Sequence, residues 1–170
     1  YFTKEKANWI SKFGGSAFEY VEKFDEYYLH LFDVTQADLN WNNPNVVKEL
    51  YDITKFWVDK GVGGFRFDVI NLIGKPDKFE DDYIFDGRRF YTDHEKTFKF
   101  LAELYDNTLK NKGLLTVGEM SSTSIEACKK YLDNDEKRLE NVFQFYHLKA
   151  DYKDNYKWST DYFNLKELKN

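Results

Sequence analysis

Between Asn43 and Lys60 the apolar residues Val46, Val47, Leu50, Ile53 and Trp57 recur at the spacing of one helix face. Asn43 before Pro44 is a helix start, a polar cap ahead of a ring that presets the first turn, and Gly61 is the matching stop. The period then changes. "GFRFDVI" (64–70) is rich in aromatic and β-branched residues and predicts a strand, with Arg66 and Asp68 on one face. Phe65, Phe67 and Val69 take the other face and are expected to pack outward against helices. A loop of roughly twenty residues follows, a length that in compact domains usually serves function. Thr92-Asp93-His94-Glu95 is a capping box opening a helix that ends at Lys112-Gly113, and "LLTVGEM" (114–120) is a second strand. Thr123-Ser124-Ile125-Glu126 opens a short helix to about Tyr131, "NVFQFYHL" (141–148) is a third strand, and "LKELKN" begins another helix. Residues 1–26, punctuated by Gly14 and Gly15, predict irregular structure, with "YYLHLF" (27–32) as a short strand.

Helices alternating with strands imply βα units and a parallel sheet, an α/β fold. The irregular start without Met and the helix just begun at the end point to a piece of a larger α/β protein.

Composition narrows the function classes. A net charge of −5 without a basic block argues against nucleic acid and anionic membrane surfaces as partners. No apolar run approaches the length of a membrane span. Cys128 is the only cysteine, which excludes an internal disulfide and suits a reducing, cytoplasmic setting. His30, His94 and His147 are scattered without metal-ligand spacing, and Glu80-Asp81-Asp82 lacks EF-hand spacing and is expected to be solvated. No metal or cofactor is expected. Sixteen Phe, thirteen Tyr and four Trp exceed what a core of this size needs, and suit flat apolar faces such as sugar rings as well as ordinary packing.

The chemistry concentrates at two strand ends. Asp68 lies near the C-terminal end of the first strong strand and Glu119 near that of the second, the edge where parallel α/β folds carry their active sites. On neighbouring strands about 4.8 Å apart, two such carboxyls match the close pair of a retaining glycosidase better than the wider inverting pair. One is then the nucleophile, and the other protonates the leaving oxygen and later activates water. Arg66 holds Asp68 ionised and oriented. Glu119 has no cation beside it in sequence, a setting suited to a general acid. Spacing alone fits other α/β enzymes too, with the Arg–Asp pair a structural ion pair and the glutamate merely solvated.

"GFRFDVI" resembles the nucleophile strand of the alpha-amylase family of retaining glycoside hydrolases, "LLTVGEM" its acid/base strand, and "QADLNW" (36–41) the short motif closing its inserted domain. The resemblance covers nearly the whole chain. It implies a (β/α)8 barrel, present here in part, as about three βα units in residues 43–170. Residues 1–42 would be the end of the domain inserted between barrel strand 3 and helix 3. It also implies Asp68 as nucleophile, Glu119 as acid/base and Arg66 as partner of the nucleophile.

"NWISKFGGSAFEY" and "YYLHLFDVTQADLNW" are most similar to the oligo-1,6-glucosidase group. That likeness implies that Phe13, Phe32 and Gln36 line the sugar pocket, with Phe145 approaching from another strand. It also makes Val69 the small aliphatic residue of members acting on non-1,4 linkages. "GEMSSTSIEACKKY" and "YHLKADY" look more like the phospho-α-glucosidases that cleave trehalose-6-phosphate. A small carbohydrate, with or without a phosphate, is thus the expected partner, with oligo-1,6-glucosidase activity or a non-catalytic relative as alternatives. Lys75, Lys78, Arg88 and Arg89, on the loop after Asp68, are candidates for the phosphate. The family's sugar-binding histidine and third carboxylate are expected before residue 1 and after residue 170. This chain alone is expected to be inactive and to self-associate through open sheet edges.

Overall fold

The computed structural model describes residues 1–84, 86–133, 135–145, 147 and 165–169. Two sheets organise them. The first is antiparallel, built from β1 (Phe2–Thr3), β2 (Phe18–Val21) and β3 (Glu26–Leu29) in the order β1-β3-β2. The second is parallel, built from β4 (Gly64–Phe67), β5 (Leu115–Met120) and β6 (Asn141–Gln144) in sequence order. The helices are α1 (Pro44–Asp59), the short α2 (Arg88–Tyr91), α3 (Glu95–Leu104), α4 (Ile125–Tyr131) and α5 (Leu165–Lys169).

The alternating pattern therefore folds as expected, and the departures have local causes. The side chain of Asn43 caps α1 by accepting from the backbone N–H of Asn45, and Gly61 leaves the helix at φ +84°. The expected core face of α1 is only partly covered: Val46, Val47 and Leu50 are half-buried, while Ile53 and Trp57 stand exposed. Residues 1–26 hold β1 and β2 where irregular structure was expected, because strands of two to four residues are too short to show a period of two. The strand expected to reach Ile70 ends at Phe67. Val69 turns left-handed at φ 37° and the chain enters a 3-10 turn over Ile70–Leu72, so Val69 packs on the N-terminal core instead of outward against helices. Thr92 does not cap α3; it closes α2. Asp93 is left-handed at φ 52°, and His94 caps α3, its Nδ1 accepting from the backbone N–H of Lys96. α3 ends in a π turn over Tyr105–Leu109. The cap of α4 falls on Ser124. Of the strand expected over 141–148, residues 141–144 form β6; residues 146 and 148 lie outside the described residues.

Two cores result. One gathers Ile70, Leu101, Leu104, Met120, Tyr131 and Leu139 between the parallel sheet, α3 and α4, with Phe67 packed against it. The other joins the N-terminal segment to the loop after β4: Trp9, Ala17, Phe18, Leu29 and Leu31 pack with Leu72 and Tyr91. The packing thus crosses the boundary drawn at residue 42. Trp9 is its centre, stacked on Phe90 with centroids 5.4 Å apart and planes at 14°. Its indole N–H donates to the carbonyl of Glu80 at 2.8 Å. Gly87, at φ +70°, lies so close that a Cβ there would overlap the Trp9 ring.

The acidic stretch 80–82, expected to be solvated, is part of this join. Asn8 and Asp82 exchange two hydrogen bonds, Asn8 Nδ2 to the Asp82 carbonyl at 2.9 Å and the Asp82 N–H to Asn8 Oδ1 at 2.7 Å. The Asn8 N–H donates to Asp81 Oδ1 at 2.9 Å. The Asp82 carboxylate is enclosed; burial works against its charge, but Arg89 Nε and the N–H groups of Ile84 and Gly87 outweigh this and hold it below the usual carboxylate range.

Lys75 is a second clamp, fully buried, with Nζ 2.8 Å from Asp38 Oδ1 and donating also to the carbonyl of Leu72. Burial pushes the Lys75 ammonium below its ordinary value, and Asp38 opposes that shift. This pair ties the "QADLNW" segment to the turn that follows β4.

Removing one partner of such a pair leaves a buried charge uncompensated. Lys75→Met is expected to destabilise the fold by about 3 kcal/mol in urea denaturation, and adding Asp38→Asn to recover part of the loss. In β4, a Cβ on Gly64 would overlap the carbonyl oxygen of Leu115 on the paired strand. Gly64→Ala is expected to cost about 2 kcal/mol, seen as a lowered melting temperature, because the obstacle is backbone.

Candidate active site

The parallel register decides the geometry. Gly64 pairs with Leu115 and Phe67 with Gly118, a constant offset that brings Asp68, one residue past β4, level with Glu119. Neighbouring strands lie about 4.8 Å apart, so the two carboxylates stand side by side at the C-terminal edge of the sheet. Next to Glu119, Gly118 lets the core close over the strand: a Cβ there would lie 2.6 Å from Leu139 Cδ1 and 2.8 Å from Met120 Cε.

Arg66 joins the two. Its Nη1 donates to Asp68 Oδ1 at 2.6 Å and its Nη2 meets Glu119 Oε2. Hence Glu119 does have a cationic neighbour, which the expectation drawn from its own strand missed, because the guanidinium reaches it across the sheet. One planar fork with several donors can span two acceptors this way, which an ammonium cannot match. The two acids differ in exposure. The Asp68 side chain is 71% exposed and that of Glu119 only 12%. A solvent-facing carboxylate beside a nearly enclosed one is the asymmetry that lets two like groups take different roles. Glu119 is level with Phe143 on β6.

The remaining expected site residues have the following settings. Phe13 is 71% exposed and meets Phe32 edge-on, centroids 5.8 Å apart. Ser11 holds both, donating to the Phe32 carbonyl at 2.6 Å and accepting from the Phe13 N–H at 3.1 Å. Between them Lys12 Nζ reaches Ser121 Oγ at 3.4 Å, linking the Phe13 segment to the chain just past Glu119. Phe145 follows β6, 43% exposed, its ring edge-on to Phe143 at 5.6 Å. Val69 directly follows Asp68 in a left-handed conformation that β-branched residues rarely adopt, backbone strain of the kind that gathers at functional sites. Gln36 is exposed, and its Oε1 accepts from the Asp33 N–H at 3.3 Å within its own turn.

Two of the four cations suggested for a phosphate are engaged elsewhere. Lys75 is the buried partner of Asp38, and Arg89 pairs with the buried Asp82 while lying over the Phe90 ring at 4.1 Å. Lys78 is exposed, as is Arg88, whose Nε is 3.2 Å from Asp86 Oδ2.

Asn71 and Asp93 were not anticipated. Asn71 is fully buried; Nδ2 donates to the Ser121 carbonyl at 2.8 Å and to Asp93 Oδ1 at 3.1 Å, while Oδ1 accepts from the Ser121 N–H at 2.8 Å. Asp93 also accepts from the Tyr131 hydroxyl at 2.8 Å and the Thr123 hydroxyl at 2.7 Å. Burial first, and then the Asp93 charge, push the Tyr131 phenol upward, so it stays a donor. The one local signal was the Thr92–Glu95 capping box, which pointed to another use of the same residues.

Comparison with known proteins identifies the family. The profile of the alpha-amylase catalytic domain matches residues 1–170. Trehalose-6-phosphate hydrolase of Bacillus subtilis is 50% identical over 164 residues, covering 95% of this chain and 29% of that protein. Oligo-1,6-glucosidase of Halalkalibacterium halodurans is 40% identical over 173 residues, covering 98% and 31%. The crystal structure of Bacillus licheniformis trehalose-6-phosphate hydrolase superposes with a TM-score of 0.94 at 47% identity, over 99% of this chain and 31% of that one. The chain thus spans about 30% of the length of these relatives. Its three parallel strands and their helices are part of a (β/α) barrel, and the chain belongs to the alpha-amylase catalytic domain family.

Proposed function

We propose that the whole protein is a retaining α-glucoside hydrolase and that Asp68 and Glu119 carry its chemistry. The observation behind this reading is the pair of level carboxylates, one exposed and one nearly enclosed, held by the single guanidinium of Arg66. In the first step a carboxylate oxygen of Asp68 bonds to the anomeric carbon as the glycosidic C–O bond breaks, and Glu119 gives its proton to the departing oxygen. In the second, Glu119 takes a proton from water, the water oxygen bonds to the anomeric carbon, and the bond to Asp68 breaks. Two displacements at one carbon return the original configuration. Arg66 aims Asp68 before attack through its hydrogen bond to Oδ1. As Asp68 is neutralised by forming the glycosyl bond, the guanidinium still faces Glu119, now an anion after losing its proton, so the cation serves both halves of the cycle.

The substrate we favour is trehalose-6-phosphate, cleaved to glucose and glucose-6-phosphate. The identity of 50% to a trehalose-6-phosphate hydrolase, against 40% to an oligo-1,6-glucosidase, supports this choice. In this reading the exposed ring of Phe13, with Phe32 behind it, stacks on a sugar C–H face, Phe145 closes the pocket from β6, Val69 borders the leaving sugar, and Gln36 bonds a hydroxyl. The engagement of Lys75 and Arg89 in structural pairs favours the second reading, an oligo-1,6-glucosidase acting on unphosphorylated isomaltose-type sugars, since it leaves Lys78 and Arg88 as the loop's candidates. Retention of Asp68, Arg66 and Glu119 together speaks against a non-catalytic relative.

Residues 1–42 serve here as the end of the inserted domain, and residues 43–170 as the central barrel. A cytoplasmic setting agrees with the single cysteine, and no helix among the described residues is long and apolar enough to cross a membrane. Activity is assigned to the whole protein; the 170-residue chain is expected to be inactive by itself and to associate through the edges of its parallel sheet at β4 and β6.

In the full-length protein, Asp68→Asn and Glu119→Gln are each expected to lower kcat by at least about a thousandfold on a natural disaccharide, with the fold retained by circular dichroism. Wild-type activity in either variant would remove that residue from its role. Compared side by side, trehalose-6-phosphate is expected to show the higher kcat/KM, and a preference for isomaltose would establish the second reading instead.

A further inference from the structure

We propose that Asn71 is a positioning residue for Glu119, replacing with its side-chain amide a rung of the β4–β5 ladder that the backbone cannot supply. The proposal rests on Glu119 being the acid/base.

β4 ends at Phe67 because Val69 turns left-handed and takes the chain into the Ile70–Leu72 turn. β5 runs on to Met120, so beyond the Phe67–Gly118 pair its backbone has lost its β4 neighbour. Buried N–H and C=O groups need partners. Asn71, inside that turn, provides both for Ser121, one donor and one acceptor at 2.8 Å each. A side-chain amide carries the same donor and acceptor as a peptide group, so it can stand in for a strand residue. No other side chain of that size does: a carboxylate cannot donate, and an aliphatic group can do neither.

The second proton of Nδ2 goes to Asp93, and this settles which way the amide faces. Asp93 is fixed in turn by Tyr131, by Thr123, and by its own N–H donating to the Asn71 carbonyl at 3.0 Å. Both amide hydrogens, the amide oxygen and the backbone carbonyl of Asn71 are therefore engaged, which fixes its setting.

The consequence lies in the spacing. Asn71 is three residues past Asp68, and Ser121 is two past Glu119. Arg66 joins the two acids at their carboxylates, and Asn71 joins the two chains just behind them. With Met120 wholly buried between Glu119 and Ser121, a displacement of Ser121 is passed to Glu119 through a single packed residue. Proton donation tolerates little misplacement of the donor. Loss of the amide is thus expected to weaken proton transfer specifically, without removing the nucleophile or the sugar contacts.

The test uses the full-length protein and two substrates with the same glycosyl group. One is a disaccharide it hydrolyses, whose alkoxide-like leaving group needs a proton; the other is α-glucosyl fluoride, whose leaving group does not. Asn71→Ala is expected to lower kcat on the disaccharide by about a hundredfold, with KM little changed, and on the fluoride by less than about tenfold. Asp93→Asn keeps the shape and suits the left-handed backbone at least as well, so it folds even where Asn71→Ala does not. It is expected to show the same split at about tenfold. Glu119→Gln serves as the standard. A split in Glu119→Gln without one in the folded Asn71 and Asp93 variants overturns the positioning role alone. Absence of the split in Glu119→Gln overturns the acid/base reading, and the positioning role with it.

Discussion

The in-register parallel pairing of β4 with β5 is the constraint on which the candidate site depends. Gly64 permits it, at the point where the neighbouring backbone comes too close for a side chain. Given that register, Asp68 and Glu119 must lie level, and Arg66, two residues before Asp68 on the same face, must reach both. A shift of one residue would turn Glu119 to the opposite face and separate the pair. The guanidinium, set against both carboxyls, fixes their orientation relative to one another.

Around this centre the long loop after β4 acts chiefly as a fastening. Two of its cations are spent within the fold, Lys75 on Asp38 and Arg89 on Asp82, and its backbone at Glu80 and Asp82 is bonded to Trp9 and Asn8. These bonds fix the N-terminal segment against the parallel sheet, and with it Phe13, the exposed ring nearest in sequence to the Lys12–Ser121 contact. Phe13 and Phe32 come from the N-terminal segment, whereas the acids come from the parallel sheet. Their relative placement relies on Trp9 and its neighbours rather than on any direct bond between Phe13 and the carboxylates.

Much of this was legible in the residues. The α1 start at Asn43-Pro44, the strand at 115–120 and the order of helices and strands follow from caps and periodicity, which are local properties. Of the small antiparallel sheet only β3 was expected, as a strand over 27–32; β1 and β2 were missed because strands of two to four residues have no period to detect. The cap of α3 was misplaced for a different reason. Thr92-Asp93-His94-Glu95 has the right residue types, but Asp93 gains more from Asn71, Tyr131 and Thr123 than from serving the helix, and those partners are tens of residues away.

By itself the sequence determined the fold class, the two strand-end acids and the family, since each is written in short contiguous motifs whose chemistry is read residue by residue. Only the tertiary structure decided that Arg66 serves both acids, that Lys75 and Arg89 are buried clamps, and that Asn71 completes a broken ladder. Those outcomes depend on which side chains meet across the sheet and on what burial costs an unpartnered charge or amide. Distance along the chain carries no information about either.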